Sequence, residues 1–179
     1  MEIENHFDLP LPPAAAWPLL MDVPRTAACF PGASHIEQIN ADRFGGRVTV
    51  KLGPLAMVFA GNLHLENRDD VAHCATVRAS WSETRGRGNA NTVTRFNLQT
   101  HDSGTRVALV SELQLAGQVA QYGRGVGMIS ALSAQLIATF AKNLRASLQG
   151  AGVGEAAPKA GEIAGLTLIA RALGSRLKN

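Results

Sequence analysis

Residues 129–148 read ISALSAQLIATFAKNLRASL, and the spacing of the large apolar groups in this run decides the fold. Ile129, Leu132, Leu136, Phe140, Leu144 and Leu148 recur at three and four residues, the stripe of an amphipathic α-helix with one buried face. Glycines at 123, 125 and 127 precede the stripe and Gly150 follows it. The expected element is a helix of about six turns, entered sharply and stopped at a glycine. Such a helix must lay its apolar face on another layer, and the chain before it supplies one.

From Ser34 to Gly117 the period changes to two. Turn signals recur at Asn40-Ala41-Asp42, Gly53-Pro54, Asp69-Asp70, Arg85-Gly86-Arg87-Gly88-Asn89 and Asp102-Ser103-Gly104, which predicts six antiparallel strands in a meander. Val48, Val50 and Leu52 share one face against Arg47, Thr49 and Lys51. Val107, Leu109, Leu113 and Leu115 likewise oppose Arg106, Glu112 and Gln114, so one face is wet and the other dry. Leu55, Met57, Phe59, Leu63 and Leu65 fall on one parity, as do Val77, Ala79 and Trp81. Before the sheet, Ile3 to Leu9 reads as a short strand. Pro10, Pro12 and Pro13 break it and pre-set a helix through Trp17, Leu19 and Leu20, and a second short helix over Arg25–Ala28 leads to the turn Phe30-Pro31-Gly32. The order strand, two short helices, six strands, long helix is α+β: a curved antiparallel sheet wrapped around a long C-terminal helix.

After that helix, residues 150–160 are rich in Ala, Gly and Pro and read as a flexible linker. Residues 161–179 follow as a tail helix. Its apolar stripe is Ile163, Leu166, Ile169, Leu173 and Leu177, flanked by Arg171, Arg176 and Lys178. Exposed Leu and Ile in that number form a patch that monomers rarely leave bare. A basic amphipathic helix of this kind either packs back on its own domain or seeks an anionic membrane surface or a partner protein, and the linker before it favours the second.

Composition excludes several classes. Charged residues are 17% and AVILMFWYC residues 46% of the 179, against roughly 25% charged in average soluble chains, so the chain builds a core rather than staying disordered. The net charge of +3 is small, and no concentrated basic face of the kind that neutralises nucleic-acid phosphates is evident. Cys29 and Cys74 form no CxxC pair, and the start MEIE lacks the features of a secretory signal; a cytoplasmic location is expected. The five histidines have no metal-ligand spacing, and the glycine clusters match neither GxxxxGK[ST] nor GxGxxG in a βαβ setting. No nucleophile, triad or carboxylate pair can be argued, so no catalytic residue and no metal site are assigned. Two inward positions stand out: Gly61 and Ser111 interrupt series of large apolar groups. Gly61 is either a β-bulge or close helix approach or room for a ligand, and Ser111 either a hydroxyl satisfied by backbone or a polar handle. If Gly61 is room, a bulky residue there closes part of a cavity without unfolding the sheet.

Cys29-Phe30-Pro31-Gly32-Ala33, Lys51-Leu52-Gly53-Pro54, Gly61, Gly104-Thr105 and Gly117–Gly123 (GQVAQYG), taken in order, resemble the CoxG family of carbon monoxide dehydrogenase subunits over residues 1–149. The resemblance implies the helix-grip fold of the START-like superfamily, with a hydrophobic cavity between sheet and helix. It also implies an accessory role without catalysis: recruiting a molybdenum hydroxylase of the carbon monoxide dehydrogenase type to the inner face of the cytoplasmic membrane, and carrying a hydrophobic ligand, an isoprenoid quinone or lipid. On that reading Phe30 sits at the cavity mouth. Leu55, Met57, Phe59, Gly61, Leu63, Trp81, Phe96, Leu109, Ser111 and Leu113 line the sheet side, and Ile129, Leu132 and Leu136 line the helix side. The tail helix resembles the family's membrane-seeking extension. A docking factor with a filled core and a cyclase-type enzyme are the competing readings.

Overall fold

The computed structural model describes residues 1–52, 55–122 and 126–150. The elements run β1 (Glu2–Leu9), α1 (Pro13–Met21), α2 (Val23–Ala28), β2 (Ala33–Gln38), β3 (Arg43–Leu52), β4 (Leu55–Asp69), β5 (Cys74–Glu83), β6 (Gly88–His101), β7 (Gly104–Gly117), α3 (Val119–Tyr122) and α4 (Val126–Gln149). The expected order is present, with two differences. Gly127 falls within the first turn of α4 rather than before it, and the GQVAQYG run contains a short helix, α3, that no periodicity marks. The linker, the tail helix and the Gly53-Pro54 turn lie outside the described residues.

All seven strands form one antiparallel sheet in the order β1-β7-β6-β5-β4-β3-β2. Only one feature of that order is not a meander: β1 pairs with the last strand, Ile3 opposite Ser111 and Phe7 opposite Val107. The two edges, β1 and β2, are therefore joined by α1 and α2, which must cross the concave side to connect them. Pro13 opens α1, where its missing N–H costs nothing. Asp22 caps α2 by accepting from the Arg25 amide. Gly32 then needs glycine twice over. Its φ is +80°, and a Cβ there would lie 2.2 Å from the Thr49 carbonyl oxygen.

Side chains of alternating parity divide the sheet as expected. The outer face carries the ion pairs Arg78–Glu66, Arg95–Glu112 and Arg106–Asp8. The inner face carries two apolar clusters, one at each end. The larger joins Phe7, Leu9, Trp17, Leu98 and Val107 to Phe140, Ala141 and Leu144 of α4. The smaller joins Met57 and Phe59 to Val119 of α3, with Leu55, Trp81 and Leu115 packed against it.

The C-terminal half of α4 is anchored firmly. Phe140 meets Phe7 edge to face at 5.5 Å and Phe30 at 6.0 Å. Asn143 donates to the Cys29 carbonyl and Arg145 to the Asp8 carbonyl. The helix packs along β1 and makes no comparable packing with β2 or β3 among the described residues. Space is left between its N-terminal half and the rest of the sheet.

Candidate functional site

That space is a cavity of about 510 Å³ between the two apolar clusters. The interiors of folded proteins hold few voids larger than a water molecule, whereas ligand pockets span roughly 300–1,000 Å³. The cavity is of the second kind. Its walls come from all seven strands, from α2 and its exit (Val23, Ala27, Phe30), and from one face of α4 (Ile129, Leu132, Leu136).

Most of the residues expected to line it are brought together. Phe30 is on the wall, as are Met57, Phe59 and Leu63 of β4, Trp81 of β5, Phe96 of β6, and Leu109, Ser111 and Leu113 of β7, with the three α4 residues facing them. Leu55 is not among the lining residues; it packs behind the wall on the Met57–Phe59–Val119 cluster. The tail set, Ile163, Leu166, Ile169, Arg171, Leu173, Arg176, Leu177 and Lys178, lies outside the described residues.

Gly61 corrects the expectation of room for a ligand. It pairs with Trp81 on β5. A Cβ at position 61 would stand 2.0 Å from the Ser80 carbonyl oxygen and 2.8 Å from Cε3 of the Trp81 ring. The indole occupies the space that the missing side chain leaves, and Gly61 is not on the cavity wall. Gly61→Ala is therefore expected to destabilise the fold by about 1–3 kcal/mol, the usual cost of overpacking. Urea unfolding measures it, and wild-type stability in that variant would refute the contact.

Polar groups on the wall are few. Thr26 is already engaged, its hydroxyl donating to the Asp22 carbonyl at 2.7 Å at the end of α1. Arg47, Thr92, Thr94, Ser111 and Ser133 complete the set apart from the Trp81 indole N–H. Among the described residues that line it there is no His, Cys, Asp, Glu, Lys or Tyr. The perturbed carboxylates lie elsewhere. Arg106 holds the Asp8 carboxyl below its ordinary range on the outer face, and Arg78 does the same for Glu66. Among the described residues, no group of three or more His, Cys, Asp or Glu side chains is placed to hold a metal, and no helix is long and apolar enough to cross a membrane.

Sequence reasoning finds Ser111 but passes over Thr92, Thr94 and Ser133. Their signal is available, since Thr92 and Thr94 share the parity of Ala90 and Phe96, which also face the cavity. Thr94 and Ser111 are direct cross-strand partners, their hydroxyl oxygens 2.9 Å apart. The hydroxyl of Ser133 accepts from Nδ2 of Asn5 at 2.9 Å, tying the N-terminal half of α4 to β1.

Comparison with known proteins gives a family and a fold. A family model for CoxG, described as a subunit of carbon monoxide dehydrogenase, matches residues 6–149. No curated protein matches the chain. Among solved structures, a conserved protein from Geobacillus kaustophilus superposes with a TM-score of 0.73 at 16% identity, covering 84% of this chain and 96% of that one. A Thermus thermophilus protein gives 0.61 at 15%, covering 86% and 100%. An aromatase/cyclase from a Streptomyces species gives 0.59 at 16%, covering 83% and 93%. At such identities the likeness establishes the fold, a helix grip of the START-like kind, and leaves function to the site.

Proposed function

The chain belongs to the CoxG family of carbon monoxide dehydrogenase subunits, and from that premise we propose that it is a non-enzymatic accessory protein of a molybdenum hydroxylase of the carbon monoxide dehydrogenase type. It holds a hydrophobic ligand, an isoprenoid quinone or lipid, in its cavity, and its residues 161–179 bring the assembly to the inner face of the cytoplasmic membrane. The observation that carries the carrier role is the 510 Å³ cavity whose wall is almost wholly aliphatic and aromatic. Leaving that much apolar wall unpacked forfeits both burial and dispersion contacts, and a ligand restores both. The hydroxyls on the described wall have no His, Asp, Glu, Lys or Tyr side chain beside them on it to act as acid or base, which favours carriage over the cyclase chemistry of the Streptomyces neighbour.

The test is organic-solvent extraction and mass spectrometry of the full-length protein purified from quinone-containing cells. A near-stoichiometric quinone or lipid is expected. A protein that arrives empty and fails to take up added quinone would leave docking as its role. Removing residues 151–179 is expected to abolish flotation with anionic liposomes while leaving ligand uptake intact.

A further inference from the structure

The few hydroxyls on the cavity wall are gathered in one place. Thr94 and Ser111 face each other across β6 and β7, and Ser111 is opposite Ile3 on β1. Asn5, two residues on from Ile3 and on the same face of β1, reaches across to Ser133 on α4. Neighbours on such a diagonal are about 7–8 Å apart, so the Thr94–Ser111 pair and the Asn5–Ser133 pair border a patch the width of one small polar group.

Proton bookkeeping gives the patch its chemistry. Each hydroxyl has one proton and two lone pairs. The bond between Thr94 and Ser111 uses one of their two protons. Ser133 spends a lone pair on Asn5 and keeps its proton. Two O–H donors are thus left with no protein acceptor among the described residues. The one charged residue that borders the described wall, Arg47, has the outward parity of β3, opposite to Val48 and Val50, and the sheet order puts β5 and β4 between its strand and β6. The N-terminal ammonium is engaged with the Leu113 carbonyl, and among the described lining residues no cation is beside the patch. An anionic head group placed there would lose its hydration without gaining a counter-charge, which is far costlier than desolvating a neutral carbonyl that two hydroxyls can bond.

We propose that Thr94, Ser111 and Ser133 form the head-group site of the cavity, and that the site selects an uncharged hydrogen-bond acceptor, a ketone or quinone oxygen, over a carboxylate or phosphate. This rests on the carrier reading above and names the class of molecule carried: a neutral, carbonyl-headed molecule whose hydrocarbon part lies along the aliphatic wall.

The test uses the full chain and three probes: N-phenyl-1-naphthylamine, a neutral fluorescent reporter without a carbonyl, decylubiquinone, and dodecanoate. Decylubiquinone is expected to displace the reporter from the wild-type protein at concentrations at least about tenfold below dodecanoate. In the pair Thr94→Val with Ser111→Ala, and separately in Ser133→Ala, decylubiquinone affinity should fall about tenfold while reporter affinity stays within about twofold. Thr94→Ser should keep wild-type affinity for both. Equal loss of reporter and quinone, no loss of either, or dodecanoate binding as tightly as the quinone would each overturn the head-group site while leaving the cavity a carrier. Failure of both reporter and quinone to bind the wild-type protein would overturn the carrier reading itself, and the head-group site with it.

Discussion

Ala79→Phe is expected to lower the affinity for N-phenyl-1-naphthylamine by about 100-fold or more, equivalent to at least about 2.7 kcal/mol, and to leave thermal stability unchanged or raised. Ala79 is on the inner face of β5, between Leu63 on β4 and Thr92 on β6, and all three line the cavity. A ring added at the centre of that wall projects into the volume a ligand would use. Overpacking destabilises a filled core by about 1–3 kcal/mol because neighbours must move. Here the ring enters open space and buries its own apolar surface. Ala75 supplies the control. It is on the same face of the same strand, but inside the Phe7–Leu144 cluster, so Ala75→Phe should destabilise by about 1–3 kcal/mol. Unchanged reporter affinity in Ala79→Phe would place binding outside the cavity, and equal destabilisation by both substitutions would mean the cavity collapses in solution.

The same contrast explains which parts of the fold can be read from residues alone. Strand parity and the 129–148 stripe are local, set by backbone geometry, and both are present as expected. What a stripe does not encode is the boundary between core and cavity. Ile129, Leu132 and Leu136 face open space, Phe140 stands at the boundary touching both cavity and core, and Leu144 is fully packed, although all five repeat with the same period and chemistry. That difference arises because α4 leans on β1, and the β1–β7 pairing joins residues about a hundred positions apart with no local mark in either strand.

Gly61 is ambiguous in the sequence for a related reason. A glycine among large inward groups signals a gap, but whether the gap is empty depends on the residue across the strand. Trp81 is that residue, and its ring covers the glycine. The hydroxyl patch is half legible: Ser111 breaks an apolar series and draws attention, whereas Thr94 reads as an ordinary strand former. Its partner becomes visible only with the register of β6 on β7.

Glu83 is an acid on the inward parity of Val77, Ala79 and Trp81 in β5. Its side chain has no solvent exposure. The carboxylate accepts from the amides of Arg85 at 2.8 Å and Arg87 at 3.2 Å, and pairs with the Arg87 guanidinium at 3.0 Å. These three bonds close the β5–β6 hairpin around Gly86, whose φ of +74° completes the turn. Hydrogen bonding from Arg87, joined by the amides of Arg87 and Arg85, holds the carboxyl below its ordinary value of 4.5.

The sign of the pH dependence follows from that shift. A carboxyl that is more acidic folded than unfolded contributes stability that is fully present above its unfolded value. That contribution is lost as the pH falls through the lower folded value. Glu83→Gln keeps the shape and one acceptor oxygen but removes the charge, leaving Arg87, whose Nε already has no partner among the described residues, without its counter-ion. The variant is expected to lose more stability at pH 7 than Gly61→Ala does, because two amide bonds and an ion pair are weakened together. The gap between wild type and variant should then narrow steadily as the pH is lowered below about 4.5. Urea unfolding of both proteins from pH 7 to pH 3 reads this directly. Taking the difference between them removes the parallel contributions of Asp8, Glu66 and Asp70, whose arginine partners also hold them low. A gap that stayed constant across that range would mean that the hairpin is closed by shape and backbone bonding alone, with the charge of Glu83 contributing nothing.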